Sequence, residues 1–193
     1  MKYNSVRMFK SDFLEKFTHI HPISPLVVWV PIISYFFYQA RDLSFGEFFL
    51  TFVGGMFVWT SSEYVLHRFV FHFEPKGTWG KRLIFILHGV HHDDPQDPTR
   101  LVFSPPLGII LFLVLYYIFS FFVPDRYFSA FLGSFLIGYL CYDYIHYATH
   151  HFPMTSKIGK FLRAYHLQHH YSHKPKKYGV SNPLWDYVFR TVD

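Results

Sequence analysis

The stretch YFSAFLGSFLIGYLCYDYIHYATH, Tyr127 to His150, decides how this chain folds. From Tyr127 to Ile145 it is apolar over about the 20 residues that a helix needs to cross a hydrocarbon core of about 30 Å. It then closes on His146 and His150, four apart and so on one helix face. An apolar helix that ends in paired imidazoles has the form of a membrane span delivering metal ligands to its own end.

Reading outward, three more apolar segments appear. Ile23 to Ala40 and Phe45 to Val65 are joined by the polar turn Arg41 to Ser44, and Leu107 to Val123 meets the quoted stretch through Pro124-Asp125-Arg126. The chain is 51% hydrophobic and 16% charged, against about 25% charged residues in soluble domains. Two such hairpins in 193 residues leave little polar surface to solvate them, which argues against buried helices of a soluble protein. The expected fold is all-α: an integral membrane protein of four transmembrane helices in two hairpins, with a cytosolic helical cap. The chain reads as one domain, divided into an interfacial amphipathic helix (1–22), a first hairpin (23–66), a cytosolic histidine region (67–106), a second hairpin (107–146) and a second cytosolic histidine region (147–193). Val6, Phe9, Phe13 and Phe17 recur at helical spacing in the first segment, among Lys2, Arg7, Lys10 and Lys16. The first and third spans are slightly short. Ala130, Gly133, Ser134 and Gly138, with Gly54 and Gly55, suit close packing of helices.

Sixteen of the 18 Lys and Arg residues fall in the N-terminal, central and C-terminal segments, and only Arg41 and Arg126 lie in the two hairpin turns. The positive-inside rule therefore puts both termini and the central region in the cytosol. The net charge of +5 is explained by this topology and by anionic lipid, so no nucleic-acid partner is expected. The single cysteine, Cys141, allows no disulfide within the chain.

Ten of the 14 histidines form four clusters: His67 and His72; His88, His91 and His92; His146 and His150; His166, His169 and His170. Spacings of three and four place the members of a cluster on one helix face. His67 and His72 break that pattern, because five residues turn an α-helix by about 140°. Either the helix loosens there or the two serve different metals. The topology brings all ten to one membrane surface. Ten ligands exceed what one ion takes, so two metals with about five histidines each is the economical reading, a poly-histidine dinuclear site. Glu63, Asp143 and Asp186 are placed to accept the free ring N–H of a ligating imidazole. Asp93 and Asp94 read as solvated. His19 and His21 read as interfacial, and His151 and His173 as neighbours of the clusters.

Imidazole suits several metals. A dinuclear site below apolar helices can reach a carbon of a lipid chain that carries no leaving group. Hydrolysis has nothing to act on there, whereas oxygen insertion needs a redox metal and O2. Iron is therefore expected in the working enzyme, with zinc able to replace it in purified protein. Apart from the ligands, no catalytic side chain stands out. The competing reading is a non-catalytic metal-binding membrane protein. A carrier would spread its ligands along a path through the bilayer, and a structural zinc would need about four.

The motifs EYVLHRFVFH (Glu63–His72), HGVHH (His88–His92) with RLVFSPP (Arg100–Pro106), DYIHYATH (Asp143–His150), and YHLQHH (Tyr165–His170) with Gly179-Val180-Ser181 and LWDY (Leu184–Tyr187) resemble the fatty acid hydroxylase superfamily. Within it, they are most similar to the fatty acid 2-hydroxylases that act on sphingolipid acyl chains. The resemblance runs from Glu63 to the C-terminus and implies a di-metal, O2-dependent enzyme that hydroxylates the carbon next to the carboxyl or amide of a long acyl chain. It also carries the family's ten ligands onto the ten clustered histidines. Carotenoid or sterol hydroxylation and desaturation are the nearest alternatives in the superfamily. Unlike the eukaryotic pattern, no cytochrome b-type haem domain precedes the first span, so electrons are expected from a separate reductase or haem protein.

Overall fold

The computed structural model describes residues 5–172 and 176–193. Lys2, Lys174 and His173, which entered the charge and histidine readings, lie outside the described residues. The described residues are helical, with no strand among them. The helices are α1 (Asp12–Lys16), α2 (Ser24–Gln39), α3 (Phe45–Val65), α4 (Thr78–Ile84), α5 (Val90–Asp93), α6 (Pro105–Phe119), α7 (Asp125–His151), α8 (Lys157–Tyr171) and α9 (Leu184–Val188). Two π-helical turns, Leu66–Phe71 and Phe85–Gly89, extend α3 and α4. α7 is long and apolar enough to cross a membrane, and α2 and α6 are shorter apolar helices. At 1.5 Å per residue, α2 and α6 reach roughly 22–24 Å, short of a full hydrocarbon core.

The chain forms two compact units. One comprises Ile23–Ser61 and Phe103–Cys141; the other comprises Met1–Pro22, Ser62–Val102 and Tyr142–Asp193.

In the first unit, α2 and α6 begin with prolines at their opening positions, where a missing N–H costs nothing. The core is aromatic. Trp29 of α2 is buried against Phe112 and Tyr139, with ring centroids at 5.5 and 5.7 Å, and Trp59 of α3 meets Phe135 and Tyr139 at 5.1 and 5.5 Å. Gly138 permits the second contact, since a Cβ there would lie 2.6 Å from Trp59. Gly55 likewise admits the Phe131 carbonyl, whereas Gly54 faces open space. The outer surface of this unit is apolar: Val27, Phe45, Leu50, Phe57, Leu113, Tyr117 and Phe122 are all more than half exposed.

In the second unit, α1 is one short turn capped by Ser11. Glu15 folds the preceding segment back by accepting the N–H groups of Met8 and Phe9 and by pairing with buried Arg100 at 2.5 Å. Burial works against the Glu15 carboxylate, yet those hydrogen bonds and the guanidinium hold its pKa below the ordinary value. Asp97 closes the network on the other side of Arg100 at 3.3 Å. α8 starts at Ser156, whose hydroxyl accepts the Gly159 N–H.

Candidate metal centre

All ten clustered histidines belong to the second unit and gather into two groups of five. One holds His67, His72, His88, His92 and His169; the other holds His91, His146, His150, His166 and His170. Within each group, one ring nitrogen per residue lies within 4.8 Å of every other. The two groups are neighbours, with His92 and His170 stacked at 4.2 Å between centroids.

The backbone explains the sorting. His88 and His92, His146 and His150, and His166 and His170 are i, i+4 pairs, and each pair enters one group. The third member of a triplet, three residues from the first, turns to the other group, so His91 and His169 cross over. The triplets therefore do not act as units, as a shared helix face alone would imply. Four rings of the first group come from 67–92 and four of the second from 146–170, with one ring exchanged each way. His67 and His72 join the same group because the π turn Leu66–Phe71 replaces α-helix there. The His72 N–H bonds the His67 carbonyl at 3.1 Å, and this i→i+5 closure sets residues five apart above one another. The five-residue spacing was the sequence signal for this turn.

The donor atoms converge. In the first group the Nε2 atoms of His67 and His92 lie 3.1 and 3.0 Å from that of His88, and those of His72 and His169 are 3.0 Å apart. In the second group His91 Nε2 lies 2.8 Å from His146 and 3.0 Å from His170, while His166 lies 2.8 Å from His150 and 3.0 Å from His170. With metal–nitrogen bonds of about 2.0–2.1 Å, ligands at right angles stand about 3.0 Å apart and ligands at tetrahedral angles about 3.4 Å. Spacings of 2.8–3.1 Å are those of neighbouring ligands on one ion.

Protonation fits the same reading. His67 Nδ1 lies 2.6 Å from the Tyr178 carbonyl, and His169 Nδ1 lies 2.6 Å from that of Lys176. A carbonyl only accepts, so both Nδ1 atoms carry the hydrogen and both Nε2 atoms present bare lone pairs. Burial first, and then neighbouring histidines, push His67, His88, His91 and His166 well below the ordinary histidine pKa; the same causes bring His72 to about 3 and His92 to about 2. These rings are neutral at pH 7, as metal ligation requires.

Two of the three expected carboxylates, Glu63 and Asp186, accept backbone N–H groups rather than ring N–H groups. Glu63 accepts the Val180 and Ser181 N–H groups at 2.6 and 2.8 Å and the Ser181 hydroxyl. Asp186 accepts the Tyr178 and Gly179 N–H groups at 2.8 and 2.7 Å and the Thr191 hydroxyl at 2.7 Å. Asp143 is buried on α7 three residues before His146. His19, His21 and His151 belong to neither group; His19 instead bonds Thr99. The carbonyl partners Tyr178 and Lys176 carried no side-chain signal in the sequence, since any residue offers a carbonyl.

Comparison with known proteins agrees with this geometry. Residues 52–191 match the family model described as fatty acid hydroxylase. A dihydroceramide fatty acyl 2-hydroxylase of Arabidopsis thaliana is 37% identical over 96% of this chain and 79% of its own length. The fatty acid 2-hydroxylase of Homo sapiens is 31% identical over 97% of this chain and 56% of its own. A solved structure of full-length scs7p, in which only the hydroxylase domain is visible, superimposes with a TM-score of 0.88 at 36% identity, covering 93% of this chain and 69% of that one. Family model, relatives and fold agree: the chain belongs to the fatty acid hydroxylase family.

Proposed function

We propose that this enzyme is a membrane-embedded, O2-dependent hydroxylase that uses two metal ions to place a hydroxyl on the carbon next to the carbonyl of a long acyl chain, free or ceramide-linked. The observation that carries the reading is the pair of five-nitrogen groups. Ten converging neutral imidazoles exceed what a structural zinc needs, and both groups lie in one compact unit rather than along a path. The metal ligands are His67, His72, His88, His92 and His169 for one ion and His91, His146, His150, His166 and His170 for the other. When bound, a redox-active pair such as iron would supply, with O2, the oxidising power to break a C–H bond on a carbon that carries no leaving group. Per turnover, C–H, O2, two electrons and two protons give C–OH and water. The electrons come from a separate reductase or haem protein.

The side chains have three tasks. The imidazoles stay neutral and fixed, leaving coordination positions for small molecules. Glu63 and Asp186 hold the backbone behind the rings, and buried Asp143, three residues before His146, accepts the free ring N–H of a ligating imidazole. The apolar surface of the α2–α3 and α6–α7 pairs suits a lipid environment, because contiguous apolar patches of that extent are rare on soluble monomers. It supports four spans in two hairpins, with the termini and the histidines cytosolic by the charge rule. The named substrates of the relatives, dihydroceramide acyl chains and fatty acids, favour acyl 2-hydroxylation over sterol or carotenoid oxidation.

Lipid profiling of cells expressing the chain tests this. The wild type should produce 2-hydroxy acyl lipids, and both His170→Ala and anaerobic growth should abolish them. An unchanged profile with altered metal uptake would instead indicate a carrier.

A further inference from the structure

The two groups have identical donor sets but different supports. Behind His67, His72, His88, His92 and His169 runs the C-terminal segment 176–191, and its backbone touches two of the rings. The carbonyls that receive His169 Nδ1 and His67 Nδ1 belong to Lys176 and Tyr178, on either side of Lys177. Lys177 is buried and holds φ at 59°, a left-handed conformation that only a surrounding structure can impose on a lysine. The Lys177 N–H bonds the Thr191 carbonyl at 2.9 Å, and its ammonium bonds the Val192 carbonyl. Asp186 ties the segment into a loop by taking two consecutive N–H groups and the Thr191 hydroxyl, and Glu63 takes the next two N–H groups. Gly179 lets the loop close, since a Cβ there would meet the Asn182 carbonyl at 2.0 Å. In the other group, His91, His150, His166 and His170 have buried Nδ1 atoms with no hydrogen-bond partner among the described residues.

We infer that segment 176–191 is a backbone clamp dedicated to one of the two metals, and that Asp186 and Glu63 are positioning residues that act on that metal through the Tyr178 and Lys176 carbonyls. The clamp fixes ring tautomer and orientation at one ion only, so the two ions are held unequally. This rests on the reading of both groups as metal sites. A partner that orients a metal-bound imidazole is worth about 10–100-fold in metal affinity. Loosening the clamp should therefore release one ion and spare its neighbour.

The test uses the 193-residue chain in detergent, loaded with zinc so that no turnover is needed. Zinc per chain is counted after exposure to a chelator concentration that leaves the wild type with two. Asp186→Asn places an amide where one of two N–H groups needs an acceptor, and it should fall to one zinc per chain. Anomalous scattering should locate the remaining ion among His91, His146, His150, His166 and His170. Ser181→Ala removes the hydroxyl that donates to Glu63 and accepts from the Asn182 amide, leaves both backbone N–H bonds to Glu63, and should weaken the same ion to a smaller degree. If Asp186→Asn fails to fold, Ser181→Ala decides by the same comparison of the two ions. Retention of both ions in the variants, or equal weakening of both, overturns the clamp. A wild type that takes up no zinc would sink the metal-site reading itself.

Discussion

The group centred on His88 and the group centred on His166 present the same five nitrogens by different backbone means. The second takes its two pairs from regular α-helix, His146 with His150 on α7 and His166 with His170 on α8. The first needs a π turn to align His67 with His72 and a π turn that ends just after His88. The 176–191 loop lies behind it, and two of its carbonyls bond His67 and His169. Convergence of imidazoles therefore does not require one local structure. Where α-helical phase suffices, packing alone orients the rings. Where the phase is wrong by about 100° relative to an i, i+4 pair, a rarer helix corrects it and backbone carbonyls hold the result.

The sharpest way to break the comparison is to strip one group. His146→Ala with His150→Ala should lower hydroxylation by more than about 100-fold, because even an outer partner of a ligand is worth about 10–100-fold. Metal content should drop from two ions to one, and loss of both would show that the groups fold as one. A phase change tests the π turn. Inserting one alanine after Val70 rotates His72 about 100° further round the helix, and the ion should leave the His88 group while the other stays. Equal retention of both would mean that the turn is incidental.

Milder changes sharpen the contrast by touching neither group. Glu15→Gln removes the carboxylate that pairs with Arg100 and should cost about 1.5–3 kcal/mol, the range of hydrogen bonds to charged groups. The Glu15 pKa is depressed in the folded chain, so its contribution is complete above the ordinary value near 4.5 and fades as pH falls below it. The Tm difference between wild type and Glu15→Gln should accordingly be full at pH 7 and shrink in acid, with the ratio of the two ions unmoved. A difference that grew in acid would contradict the anchoring. His151→Ala removes a ring that stacks near Tyr147, at 4.6 Å, and joins neither group. Turnover should stay within about twofold of wild type, since substitutions away from special features usually stay within about 0.5 kcal/mol. A larger loss would bring His151 into the site.

The helical class and the ten clustered histidines were legible because both are written in one-dimensional spacing: apolar runs of span length, and imidazoles at intervals of three and four. Spacing also carried the warning at His67 and His72, although it did not say which way the misfit would resolve. Glu63 and Asp186 read from the sequence as acceptors of ring N–H groups. Their partners proved to be the N–H groups of Tyr178 to Ser181, which no residue type announces.

By itself, the sequence determined the donor chemistry, the helical periodicity and the family, since side-chain identity and spacing fix what a helix face presents. The tertiary structure alone decided which five rings gather into one group, why His91 and His169 cross over, and which group receives backbone carbonyls. Those outcomes depend on distances between segments far apart in the chain and on left-handed backbone at Lys177, and a residue-by-residue code carries neither.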